Sequence, residues 1–318
     1  MPQRIVSLLP SATEIVCALG ARADLVGVSH ECDFPADVLG LPVLTRAKFR
    51  KASSSAAIDR AVRDVVRDAL AVYEVDSERL ATLAPDVIVT QDLCDVCAVS
   101  MDDVRAAVAR LAHRDSIEVV SLSPTCLDDI LADIERTGVA LGRPADGARV
   151  VREARERIEA VRARAHAAAT RPSVLSIEWL EPVMIGGMWM PELITLAGGA
   201  PLVTQPRDHA PTLGLAELEA LDPDVVLIKP CGFPLEESLA ELDVLPRVLP
   251  WSRWKAVANG NVFLADGNAY FNRPGPRIVD SLEILAACVH PVELGELRAR
   301  YASAVRRVRP DLGVEPWA

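Results

Sequence analysis

Cys94 and Cys97, with two residues between them, are the pair whose spacing most directly suggests chemistry. At the start of a helix such thiols can be ionised by the helix N-terminus and act as a redox couple. The Trp-Cys-Gly-Pro surroundings of thioredoxin-like enzymes are missing, so the pair reads also as inert thiols or as contacts to a ligand or metal. Cys32, Cys94, Cys97 and Cys231 together offer four soft thiolates, a donor set suited to a metal ion or an iron–sulfur cluster. No second Cys-x-x-Cys at finger-like spacing accompanies them, which disfavours a structural zinc site. The chain also lacks the G-x-S-x-G elbow, the G-x-x-x-x-G-K-[ST] loop and the H-E-x-x-H pair, which argues against a nucleotide hydrolase or a serine hydrolase.

A second group of residues suits binding rather than catalysis. Trp179, Trp189, Phe233, Tyr270 and Phe271 fall in or near loops that follow candidate strands, although aromatics make up only 4% of the chain. Rings so placed can stack on a large, flat, partly apolar ligand, each burying about 150–250 Å². Trp189, and the pair Trp251 and Trp254, also read as seals on helix ends. Arg273, in Asn-Arg-Pro-Gly-Pro-Arg, precedes a helix start and suits an acid or amide group of a ligand, or else a salt bridge at the cap.

The elements that position these residues alternate between short β-branched runs and helical patterns, the signature of a parallel α/β fold. Candidate strands are 4–9, 25–29, 87–90 and 118–122 in the first half, and 173–178, 225–228 and 261–265 in the second. Ligands of such sheets bind beyond the strand carboxyl ends. There lie His30-Glu31-Cys32-Asp33-Phe34, then Gln91-Asp92-Leu93-Cys94, then Cys126, Trp179, Cys231-Gly232-Phe233 and the run from Asp266 to Arg273. Five of the seven cysteines fall at strand ends.

An internal repeat points to two similar lobes. Leu80-Ala-Thr-Leu-Ala-Pro-Asp-Val-Ile-Val89 matches Leu218-Glu-Ala-Leu-Asp-Pro-Asp-Val-Val-Leu227, each copy a helix ended by Pro and a strand entered through Asp. Between the halves, 146–170 is rich in Ala, Arg and Glu and predicts one long helix of about 37 Å at 1.5 Å per residue. The expected domains are therefore an N-terminal lobe at 1–142, a connecting helix at 143–171 and a C-terminal lobe at 172–318. A final helix is expected at 292–308, followed by an exposed tail of ten residues.

Composition narrows the partners. The formal net charge of −11 argues against nucleic acid and anionic membranes, since both need a basic face. The most apolar stretch, 182–203, is broken by Pro191, Glu192 and glycines, so no membrane insertion is expected. The odd number of cysteines fits a reducing compartment. The opening MPQRIVSLLPSATE shows no long apolar core or cleavage site. The expected location is cytoplasmic, or periplasmic if a leader has been trimmed.

The ordered motifs resemble one family. Arg4-Ile-Val-Ser-Leu-Leu-Pro-Ser-Ala-Thr-Glu14, Leu25-Val-Gly-Val-Ser-His-Glu-Cys-Asp-Phe-Pro35, the Leu80–Val89 element and Phe271 to Arg277 are similar, in this order, to the vitamin B12 and iron-chelate binding proteins of ABC importers, the helical-backbone class of periplasmic binding proteins. The resemblance implies two Rossmann-like parallel-sheet lobes joined by one long backbone helix, the class III binding-protein fold. It implies non-enzymatic binding of a corrinoid of the cobalamin type, or a related metal chelate, in an inter-lobe cleft, with an ABC importer permease as partner. Carried over by position, Glu31, Cys32, Phe34, the Gln91–Cys94 loop, Trp179, Tyr270 and Arg273 would line that cleft, with His30, Trp189, Cys231, Phe233 and Phe271 as the further ligand contacts. The expected role is a substrate-binding protein or a cytoplasmic carrier or sensor. The alternative is a cytoplasmic protein holding a metal or iron–sulfur centre on Cys32, Cys94, Cys97 and Cys231, with redox activity.

Overall fold

The computed structural model describes residues 3–48, 54–67, 73–91, 104, 107–109 and 116–317. The chain divides into two compact units: Met1–Ala52, Arg60–Pro124 and Asp128–Ala154 form unit 1, and Ser53–Asp59, Thr125–Leu127 and Arg155–Ala318 form unit 2.

Unit 1 is built on a parallel sheet of β1 (Ile5–Ser7), β2 (Leu25–Gly27), β5 (Val87–Gln91) and β6 (Glu118–Leu122) in the order β2-β1-β5-β6. β5 is buried at all five positions, as expected of an unbroken apolar run covered on both faces. A short antiparallel pair, β3 (Thr45–Ala47) with β4 (Tyr73–Val75), stands beside it. Val6, Leu8, Leu44, Tyr73, Leu80 and Ile88 share one core cluster.

Unit 2 carries a larger sheet in the order β13-β12-β11-β10-β7-β8, with β9 (Ala200–Pro201) paired to β7. Its centre, β7 (Ser173–Trp179), β10 (Val225–Ile228) and β11 (Val262–Ala265), is parallel. β8 (Met184–Ile185), β12 (Val305–Val308) and β13 (Val314–Pro316) add antiparallel strands, with β8 and β13 at the two edges. All seven strands expected from the sequence are present. β3, β4 and the edge strands were not foreseen, because short half-buried runs lack a distinct period.

The repeat has a physical basis in its aspartates. Asp86 Oδ2 accepts from the Arg4 backbone N–H at 2.8 Å, and Asp86 N–H donates to Arg4 O at 2.8 Å. Asp224 Oδ2 accepts from Ser173 N–H at 2.8 Å, and Asp224 N–H donates to Ser173 O at 3.0 Å. In each unit the Asp that begins one strand therefore ties off the backbone beginning its parallel neighbour. Leu80 and Leu218, at matching places in the preceding helices, are both fully buried.

The long helix spans Pro144–His166, about 34 Å at 1.5 Å per residue. Pro144 supplies a fixed φ at its first turn. The boundary between the units falls inside this helix, after Ala154, rather than at its ends. Within unit 2 its Arg157 reaches Asp280 at 2.6 Å and Glu283 at 2.8 Å.

The expected C-terminal helix and exposed tail are corrected. Only Leu297–Arg300 is helical; β12 pairs antiparallel with β11, and β13 folds back on β12. Val305 and Val308, spaced as on a helix face, are instead the buried ends of a strand. Trp317 is buried, and Trp251 Nε1 donates to Pro310 O at 2.9 Å, so the last residues are packed. Pro316 lacks an N–H to offer a further strand, which suits an edge. Among the described residues no helix is long and apolar enough to cross a membrane.

Candidate functional site

The carboxyl ends of the parallel strands carry a distinct set of side chains in each unit. In unit 1, β1 ends at Ser7 and runs into the helix Pro10–Ala18. Thr13 on that helix donates to Ser7 Oγ at 2.8 Å, and its hydroxyl lies 3.0 Å from Cys32 Sγ. Cys32 is buried. Beyond β2, Ser29, Thr45, His30, Glu31 and Tyr73 form a second polar group. His30 N–H donates to Thr45 Oγ1 at 3.0 Å, the His30 Nδ1 to Thr45 Oγ1 distance is 2.7 Å, and Thr45 donates to Ser29 Oγ at 3.1 Å. Tyr73 OH donates to Glu31 Oε1 at 3.1 Å, and its ring centroid lies 5.2 Å from that of His30. The enclosing atoms desolvate the imidazole and lower its pKa, an effect that the neighbouring Glu31 opposes. His30, Glu31 and Phe34 are exposed, whereas Gln91 at the end of β5 is buried.

In unit 2, Trp179 ends β7 half-buried, with Phe233 edge-on at 5.3 Å between centroids. Cys231, also half-buried, donates its N–H to Glu178 O at 3.0 Å. The run from Asp266 to Arg273 follows β11. Asp266 Oδ1 accepts from the backbone N–H groups of Asn268 and Ala269 at 3.0 and 2.7 Å, which closes a tight turn. Burial raises the Asp266 pKa, and those two N–H groups oppose the rise. Gly267 passes so close to the preceding strand that a Cβ there would lie 2.0 Å from Pro230 O. Lys229, 1% exposed at the end of β10, donates to Glu178 Oε2 at 3.0 Å and to Asn272 Oδ1 at 2.8 Å.

The rings sort by burial. Trp189 is buried and donates its Nε1–H to Phe271 O at 2.8 Å. Phe271, fully buried at φ +65°, donates its N–H to Ser281 Oγ at 2.8 Å. Arg273 is buried and donates to Asn268 Oδ1 at 2.9 Å. Tyr270 stays half-buried, with the Arg277 guanidinium 5.5 Å from its ring centre. Trp254 is a core residue whose Nε1 donates to Leu218 O at 3.2 Å.

The four-thiolate centre finds no support. Cys32 belongs to unit 1 and lies against Thr13, and Cys231 belongs to unit 2. Asp92, Cys94 and Cys97 lie outside the described residues. Among the described residues no group of three or more His, Cys, Asp or Glu side chains could hold a metal ion. Burial pushes the Cys17 thiol up to about 11 and raises Cys288 further, so both stay protonated at neutral pH.

Sequence reading missed Thr13, Thr45, Tyr73 and Lys229. Thr45 and Tyr73 sit on strands with no periodic signal. Lys229 stands one residue before the Pro230-Cys231 loop, and a lysine ending an apolar strand is the signal that would have found it.

The family described as periplasmic binding protein matches residues 5–269. The vitamin B12-binding protein of Vibrio cholerae serotype O1 is 25% identical over 288 residues, covering 88% of this chain and 87% of the relative. That of Vibrio parahaemolyticus serotype O3:K6 is 20% identical over 294 residues, covering 91% and 89%. Of solved structures, a periplasmic heme binding protein from Pseudomonas aeruginosa aligns with a TM-score of 0.69 at 20% identity over 92% of this chain and 94% of that one. The periplasmic vitamin B12 binding protein of Vibrio cholerae aligns at 0.65, with 20% identity over 91% and 97%. These likenesses bear out the expected helical-backbone binding-protein fold. They overturn the cytoplasmic location, since the family and these solved structures are periplasmic. The match begins at β1 and ends in the loop beyond β11, and on its extent the chain belongs to the family of periplasmic binding proteins.

Proposed function

We propose that this protein is the substrate-binding component of an ABC importer and takes a metal tetrapyrrole, a corrinoid of the cobalamin type in the first place, without chemically changing it. The observation that carries the reading is the half-exposed Trp179 ring at the end of β7, held edge-on by the buried Phe233. Such a ring offers a flat apolar surface whose orientation is already set, which suits a macrocycle's face. Similarity to vitamin B12-binding proteins over most of the chain supports the same ligand class.

Burial divides the site residues by role. His30, Glu31 and Phe34 in unit 1, and Trp179, Cys231 and Tyr270 in unit 2, are exposed or half-buried and are proposed to touch ligand. Cys32, Gln91, Trp189, Phe233, Phe271 and Arg273 are buried and are proposed to hold the contacting residues in place.

Calorimetry with aquocobalamin, cobinamide and hemin tests the reading. The expected result is binding at micromolar or tighter Kd for at least one of them, a free energy of about −8 kcal/mol or better. Trp179→Ala should weaken it roughly tenfold, by the loss of about 1–1.5 kcal/mol of ring contact. Failure of all three ligands to bind sinks the proposal.

A further inference from the structure

His30 follows β2 at the carboxyl end of the unit 1 sheet. Its main-chain N–H and its Nδ1 converge on one atom, Thr45 Oγ1, at 3.0 and 2.7 Å. Thr45 directs its own hydrogen to Ser29 Oγ at 3.1 Å. A hydroxyl has one hydrogen and two lone pairs, so with the hydrogen on Ser29 it can accept from both His30 groups. Nδ1 is then the protonated ring nitrogen. In the neutral imidazole this leaves Nε2 with its lone pair available.

The frame around the ring is firm. Thr45 is buried and paired in β3 opposite Val75. Tyr73, on the partner strand, sets its ring 53° from the imidazole plane, and its hydroxyl is tied to Glu31. Holding one imidazole nitrogen against a fixed acceptor while presenting the other is how proteins orient a histidine toward a metal.

We propose that His30 Nε2 coordinates the metal of the bound tetrapyrrole by displacing an exchangeable axial ligand. The inference rests on the metal-tetrapyrrole reading and adds a selection rule to it: the chelate must arrive with an axial position held by water or left open. In the exchange, the Nε2 lone pair forms the new bond to the metal and water departs with its own pair. No electron is transferred and the metal keeps its oxidation state. The macrocycle supplies the in-plane nitrogens, so one protein ligand is sufficient.

The test titrates the protein with aquocobinamide, dicyanocobinamide and hemin, reading binding by calorimetry and coordination by visible absorption. The expected result is a band shift when wild type binds aquocobinamide or hemin, and whichever binds identifies the source of the chelate. His30→Ala should lose the shift and bind about tenfold or more weakly, Thr45→Val should fall between, and free imidazole should restore the shift in His30→Ala. Dicyanocobinamide, with both axial positions filled, should bind without a shift and lose less affinity in His30→Ala than aquocobinamide does. That contrast within wild type also decides the matter if a variant fails to fold. Binding of aquocobinamide or hemin with no shift in wild type, or with the same shift in His30→Ala, overturns the inference and leaves the ligand reading standing. Failure of all three, and of aquocobalamin, to bind wild type overturns both.

Discussion

Lys229 Nζ donates to Asn272 Oδ1 at 2.8 Å, and Asn272 Nδ2 donates back to Lys229 O at 3.2 Å and to Gly267 O at 2.8 Å. A strand end and a loop five residues past Gly267 are thereby locked by reciprocal bonds. The lysine is almost wholly buried, and its ion-pair partner Glu178 is 23% exposed. Lys229→Met keeps the length of the side chain and strands both partners. Breaking a buried pair costs about 3–5 kcal/mol, and the water that reaches Glu178 brings the expectation down to about 2–3 kcal/mol. Urea unfolding should show that loss, and ligand affinity should fall with it as the loop carrying Tyr270 loosens. An unchanged unfolding midpoint would refute the lock.

Gly267→Ala tests the same loop through backbone contact. The new Cβ would sit 2.0 Å from Pro230 O and 2.8 Å from Lys229 C, atoms that cannot swing aside. A loss of about 2–4 kcal/mol is expected. Gly214→Ala is the control: its Cβ would meet nothing closer than Glu217 Oε2 at 3.6 Å, and it should stay within about 0.5 kcal/mol of wild type. Equal effects from the two would remove the steric account.

Asp133 gives the stability of unit 1 a pH dependence. Burial pushes its carboxyl up to about 6, against the pull of Arg136 and the Ser123 N–H. In the unfolded chain it titrates near 3.8, so between about pH 4 and pH 6 the folded state holds the proton more tightly. Stability from this group is therefore present below the unfolded value and falls as pH rises through the folded one. The fall is on the order of 2–3 kcal/mol. Asp133→Asn should flatten that part of the profile, checked by urea midpoints from pH 4 to 8. A wild type that gains stability relative to the variant over this range would contradict the burial effect.

Trp317 probes the corrected C-terminus. It is 4% exposed, just beyond β13, so Trp317→Ala should cost about 3 kcal/mol in thermal or chemical unfolding. A free tail would give no change.

By itself the sequence determined the parallel α/β class, seven strands of the two parallel sheets, the long helix and the family resemblance. Each of these rests on a local or ordered signal. A short β-branched run such as Val87–Val89, entered through Pro-Asp, reads as a covered strand, the Pro-Asp punctuation recurs, and the Ala/Arg/Glu run has no helix breaker after Gly147. Aromatic residues at strand ends were visible for the same reason. Tertiary structure alone decided which rings are covered: Trp189 and Phe271 look like Trp179 in the sequence, and only the bond from Trp189 Nε1 to Phe271 O shows that they hold the loop. It alone turned Val305–Val308 from an apparent helix face into an antiparallel strand between β11 and β13, since that pairing depends on residues forty positions away. The convergence of His30 on Thr45, fifteen residues apart, arises because β3 packs beside the end of β2. Such contacts carry no period along the chain. They exist only once the sheet has brought their elements together.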